Sequence, residues 1–149
     1  MIRHLVAAAL LLGAGAACAD SKAEVLAAVG DALKALNTND APLFSKVVLP
    51  QALILSQSYA ADGALKTRLM TTADMAARIS TPGPRIDERI QDPQVMIRGD
   101  LAHVWSPYTF DLGGKRLHCG IDSFGLARID GDWRITSLTW TAEPSGCPK

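Results

Sequence analysis

Apolar residues recur along this chain at two different spacings, and the change between them divides it. Leu26, Val29, Leu33 and Leu36 return every three or four residues, the spacing of one helical stripe. Helix is therefore expected from about Lys22 to Leu36, with Ser21 as its cap. Asn37-Thr38-Asn39-Asp40 ends it. Asp40 can cap a second, shorter helix that carries Pro42 in its first turn, where a missing N–H breaks no bond, and that stops before Pro50. Ala52 to Tyr59 reads as a strand turned by Ala61-Asp62-Gly63, and Thr72 can cap a short helix to about Ile79. Thr81-Pro82-Gly83-Pro84 is the strongest breaker and the expected joint between a helical half and a sheet. Four β-segments follow: Ile86–Arg98, Ala102–Leu112, Arg116–Ile129 and Asp132–Thr141. Gly99-Asp100, Gly113-Gly114 and Asp130-Gly131 separate them and have hairpin composition, so the four form an antiparallel meander. Helices segregated ahead of such a meander predict an α+β domain.

Two-residue loops at Gly113-Gly114 and Asp130-Gly131 also predict a register. Thr109 then faces His118, Trp105 faces Asp122 and Leu126 faces Ile135. One face collects His103, Trp105, Thr109, His118, Asp122, Phe124, Leu126, Trp133 and Ile135. The other collects Val104, Ser106, Tyr108, Phe110, Leu117, Cys119, Ile121, Leu138 and Trp140. A single bulge would move a strand by one residue and swap its faces.

The N-terminus changes the picture of where this domain works. Arg3 and His4 precede the apolar run Leu5 to Ala17, and Ala17-Cys18-Ala19 is a small-x-small site followed by Asp20. That order is the pattern of a cleavable signal peptide, residues 1–19, leaving residues 20–149 as one domain in the periplasm or outside the cell. The run has thirteen residues, short of the ~20 that a membrane span needs. A lipoprotein acylated at Cys18 is the minor alternative. Cleavage removes Arg3 and no acid, so 15 basic and 15 acidic residues become 14 and 15. That balance gives no reason to expect nucleic acid or an anionic membrane as partner. Cleavage also discards Cys18 and leaves the pair Cys119 and Cys147, which an oxidising compartment favours as a disulfide worth about 3 kcal/mol. Two free thiols are the alternative.

The segment His118-Cys119-Gly120-Ile121-Asp122-Ser123-Phe124-Gly125-Leu126, followed by Asp130-Gly131-Asp132-Trp133-Arg134-Ile135, carries a resemblance. With its Phe-x-Leu strand, turn and Trp-x-Ile strand, Ala102 to Trp140 resembles the C-terminal sheet of the nuclear transport factor 2-like superfamily. The likeness is to its SnoaL-like and lumazine-binding-like small bacterial members, and element order extends it over most of the mature chain. The resemblance implies a cone: a curved antiparallel sheet wrapped around N-terminal helices, a cystatin-like roll, with an inner pocket. It implies no single function, because this fold carries enzymes, binders and assembly modules. Enzymes of the superfamily place a His/Asp or Asp/Tyr pair in the pocket, and no such pair aligns here.

The residues themselves offer a few candidates. His118 and Asp122 share the expected pocket face and could do acid–base work near neutral pH, although four residues along a strand separates them by about 13 Å. They would flank a ligand rather than bond directly. His103, Trp105 and Trp133 join that face and suit a flat organic ligand, while core packing and solvent exposure are the plainer readings. His4, His103 and His118 are too dispersed for a metal site, and no cofactor motif is present in the sequence. Three functions compete: a non-catalytic binder of a small apolar or aromatic ligand, an acid–base dehydratase or isomerase using His118 and Asp122, and an interaction module. The last would dimerise through Tyr108, Phe110, Ile121, Leu138 and Trp140, unless the tail covers that face. Expression of the full chain in a bacterium is expected to yield a product whose intact mass begins at Asp20. A product that keeps residues 1–19 would refute the export reading.

Overall fold

The computed structural model describes residues 14–60 and 62–148, with side chains from Ser21 onward. The basic residues Arg3 and His4, most of the leading apolar run and Ala61 lie outside the described residues. Helix α1 (Ala14–Asn37) is described from Ala14 and crosses the expected cleavage site. Its buried seam is Val25, Ala28, Val29, Ala32 and Ala35, beside the expected leucines. The alanines let the helix lie close to the sheet, while Leu26, Leu33 and Leu36 pack along its flanks. Helix α2 (Ala41–Val47) starts where Asp40 accepts a bond from the Leu43 N–H at 2.9 Å.

Strand β1 (Val48–Tyr59) begins before the expected Ala52 and passes through Pro50. Strand β2 (Leu65–Met70) was not expected from the sequence. It lies at the sheet edge with five of its six residues exposed, so it has no apolar face to give a strand signal. Helix α3 (Thr72–Ile79) is capped by Thr71 rather than Thr72, in a reciprocal box with Asp74. The Thr72 hydroxyl donates instead to the Leu49 carbonyl at 2.7 Å, tying α3 to β1.

The expected strand Ile86–Arg98 is two strands, β3 (Ile86–Ile90) and β4 (Gln94–Arg98). Between them Asp92 takes a φ of 46° ahead of Pro93. Both pair with β5 (Leu101–Leu112). The buried Ser106 hydroxyl spans the break, donating to the Gln91 carbonyl at 2.8 Å and accepting its N–H at 3.1 Å. Strands β6 (Lys115–Ile129) and β7 (Asp132–Ala142) complete the meander. The sheet runs β2-β1-β7-β6-β5-β3, with β4 also on β5, and it is unclosed. Because β1 joins β7 in parallel, the sheet is mixed rather than wholly antiparallel. The α+β cone stands: the sheet curves around the helices, which bury Phe44, Ile54, Val104, Phe124, Leu126 and Ile135.

Two bulges correct the expected register. Leu112 pairs with Lys115 and Asp111 with Arg116, but Phe110 pairs with His118, so Leu117 is extra. Thr109 therefore faces Cys119, and Trp105 faces Ser123. On β7, Leu126 faces Ile135 as expected, but Gly125 faces Ser137, so Thr136 is extra. The first bulge turns Val104, Ser106, Tyr108 and Phe110 inward and His103 and Trp105 outward. The second turns Leu138 and Trp140 inward.

At the far end of β6 the chain closes tightly. A Cβ on Gly120 would lie 2.2 Å from the Thr141 carbonyl oxygen, so only glycine fits there. Cys119 exchanges two backbone bonds with Glu143, at 3.1 and 2.8 Å, and a disulfide joins it to Cys147. The tail is thus pinned to the outer face. Among the described residues no helix is long and apolar enough to cross a membrane.

Candidate functional site

The concave side of the sheet, flanked by α1 and α3, forms a half-open chamber of about 280 Å³. Its walls include Leu36, Met70, Met75, Ile79, Phe110 and Trp140, with Ser56, Ser58, Arg68, Arg78, Glu88 and His118 as the polar groups. A deeper recess of about 30 Å³ shares Leu36, Met75, Glu88 and Trp140 with it and ends on Asp122 and Phe124. The recess has room for little more than water, while the chamber approaches the size of small-molecule sites.

Glu88 stands between Ile86 and Ile90 on the inner side of β3, opposite Phe110, which in turn faces His118. The last residue of α1 fixes its backbone. Asn37 donates to the Glu88 carbonyl at 2.9 Å and accepts the Glu88 N–H at 2.8 Å, occupying bonds that an edge strand leaves open. Although the residue as a whole is half-buried, its carboxyl lies against apolar walls. That desolvation pushes its pKa from the ordinary 4.5 up to about 8. Asp122, opposite Ser106 and Trp140, is 2 % exposed. Burial raises its pKa well above the ordinary range, and the neighbouring Glu88 charge adds to the effect. Among the described residues its Oδ2 has no hydrogen-bond partner. The nearest cross-strand hydroxyl, Ser106, is committed to Gln91.

His118 sits nearer the mouth. Its ring stacks on Phe110 with centroids 4.5 Å apart, and Nδ1 lies 3.0 Å from the Tyr108 hydroxyl. That hydroxyl donates to the Thr141 carbonyl at 2.7 Å. With its proton so used, the hydroxyl accepts from His118, which places the imidazole hydrogen on Nδ1 and leaves a lone pair on Nε2. Burial lowers the His118 pKa and favours this neutral form. Burial, together with the Asp122 charge, raises the pKa of Tyr108 and keeps it protonated.

The cone places both His118 and Asp122 on its inner side, His118 on the chamber and Asp122 on the recess, and separates the other expected ligand contacts from them. Trp105 is 49 % exposed on the convex face, and the His103 ring lies 3.5 Å from Ser123 there. Trp133 is buried at the opposite end of the cone, under the Arg128 guanidinium at 4.7 Å. The expected dimer face is corrected as well. Tyr108, Phe110, Leu138 and Trp140 point into the cone, and only Ile121 of that set stays outside. Sequence reasoning passed over Glu88 and Asn37. The alternation Ile86-x-Glu88-x-Ile90 was the available sign, since it sets a carboxyl among inward apolar positions.

No family model and no curated protein matches this sequence. Solved structures do match in shape. A Mycobacterium tuberculosis protein of unknown function superimposes with a TM-score of 0.72 and 17% identity, over 89% of this chain and 77% of that one. The fold is that of the nuclear transport factor 2-like proteins. One of these, of unknown function from Shewanella baltica, matches with a TM-score of 0.63 and 17% identity, over 85% of this chain and 97% of its own. A Streptomyces avermitilis protein described as a candidate dehydratase of the nuclear transport factor 2-like family matches at 0.60 and 13% identity, over 83% and 97%. At such identities the likeness carries the fold and no site residue.

Between pH 4.5 and 8 the folded chain holds a proton on Glu88 that the unfolded chain has released. Stability from this group is therefore full below 4.5 and is lost as pH rises through 8. Glutamine cannot ionise, so Glu88→Gln should gain stability over the native chain from pH 5 to about 8 and level off above that, as read from urea unfolding. A difference that does not change with pH would show that the carboxyl is hydrated.

Proposed function

We propose that this domain works outside the cytoplasm as a binder of a small, mainly apolar organic molecule held in its cone. The unpartnered Asp122 Oδ2 at the end of an apolar recess carries this reading. A buried polar oxygen without a partner costs about 1–3 kcal/mol, and a ligand hydroxyl or a single water would relieve that cost. Chamber and recess together offer apolar walls with few polar groups, the composition of small-molecule sites. The leader-like N-terminus and the Cys119–Cys147 bridge support export. Aromatic and alicyclic alcohols screened against the mature chain should include compounds that raise its melting temperature by several degrees. Ser56→Trp, which fills the chamber, should abolish those shifts. Compounds that still bind the plugged variant would place the site elsewhere and refute this reading.

A second reading is acid–base catalysis of the dehydratase or isomerase kind, favoured by the fixed tautomer of His118. A neutral imidazole with its Nε2 lone pair free, on the same chamber as a glutamic acid with a pKa raised to about 8, offers a base and an acid. If a bound compound is turned over, His118→Ala should slow turnover by about 100-fold or more. Unchanged turnover in that variant would leave binding as the whole function.

A further inference from the structure

The polar groups of the chamber are sorted by depth. Its inner end holds the carboxyls Glu88 and Asp122, and Arg68 and Arg78 line the outer chamber without reaching the recess. Arg68 lies on β2 opposite Ser56, which also lines the chamber, so both belong to the inner face. Arg78 stands in the last turn of α3, a helix held by its capping box and by the buried Ile79. Arg89, Arg116 and Arg128 are each taken up by a carboxylate. Among the described residues Arg68, Arg78, Arg85, Arg98 and Arg134 have no such partner, and of these only Arg68 and Arg78 line the chamber. Glu88 is, among the described residues, the one acid that shares the chamber lining with them, and it also lines the recess with Leu36, Met75 and Trp140.

We propose that the ligand is an anion: a small aryl or alkyl carboxylate whose acid group sits at the chamber mouth against Arg68 and Arg78, with its apolar body inward. This rests on the reading of the cone as a binding site. Guanidinium groups present paired N–H donors that match the two oxygens of a carboxylate. The tail would pack between Met70, Met75, Phe110 and Trp140. Desolvation keeps Glu88 mostly protonated at neutral pH, so it does not repel the acid. A chamber of about 280 Å³ lies at the small end of organic-ligand sites and suits small acids.

Isothermal titration of the mature chain with matched pairs tests this: 1-naphthoate against 1-naphthalenemethanol, and octanoate against 1-octanol. Within at least one pair the acid should bind about tenfold more tightly, and its affinity should fall with added salt while that of the alcohol does not. Arg68→Gln/Arg78→Gln should weaken the acid about tenfold and leave the alcohol unchanged. Should the double variant fail to fold, the single variants and the salt series carry the same test. Equal binding of acid and alcohol, insensitive to salt and to both substitutions, overturns the anion and leaves the cone site standing. Alcohols binding more tightly than acids overturn it likewise. No binding by any of the four compounds removes the site and the anion together.

Discussion

Each of the two extra residues, Leu117 in β6 and Thr136 in β7, decides which side chains enter the cone. Side chains alternate across a strand, so one inserted residue exchanges the faces of everything beyond it. Leu117 sets Phe110 opposite His118 and thereby turns Tyr108 and Phe110 inward. Thr136 does the same for Leu138 and Trp140. Without them the inner face would hold His103 and Trp105, and the hydroxyl that bonds His118 would lie outside. The cost is local. Leu117 itself is left 51 % exposed, an apolar side chain given to solvent so that the rest of the sheet can register.

The same two residues explain what the sequence could tell and what it could not. Hairpin composition at Gly113-Gly114 and Asp130-Gly131 located the turns correctly, and Leu126 does face Ile135. Neither bulge has a local signature here, since Arg116-Leu117-His118 and Ile135-Thr136-Ser137 read as ordinary strand. His118 and Asp122 were visible as polar residues in an apolar strand, and they reached the inner face because both precede Thr136 and follow Leu117. Glu88 was hidden for a different reason. Its neighbours Asp87 and Arg89 make the segment read as a charged edge, and its meaning depends on α1 arriving 51 residues earlier in sequence to clamp its backbone through Asn37. Strand β2 gave no signal because a solvent-exposed edge strand needs no apolar alternation.

Polarity is graded along the cone, and desolvation explains the gradient. A carboxyl deep in an apolar chamber cannot hold its charge cheaply, so Glu88 and Asp122 take protons there and become neutral hydrogen-bonding groups. A guanidinium has no such recourse, because it stays charged at any ordinary pH. Arg68 and Arg78 are accordingly found where water still reaches them. Depth thus separates groups that can neutralise themselves from groups that cannot.

The closure at the end of β6 joins this gradient to the covalent structure. Thr141, whose carbonyl accepts the Tyr108 hydroxyl's hydrogen bond, is the residue that presses on Gly120 and stands two before Glu143. Glu143 pairs with Cys119, and Cys119 is held to the tail by its disulfide. The position of the Thr141 carbonyl is therefore fixed from three sides: by the glycine that admits it, by the backbone pair beyond it, and by the bridge that keeps that pair from fraying. Because that carbonyl orients the Tyr108 hydroxyl, it also decides which nitrogen of His118 carries the hydrogen. The outer-face bridge and the inner-face imidazole are adjacent in sequence and point to opposite sides of one strand, so the disulfide and a defined His118 tautomer depend on the same short stretch of chain.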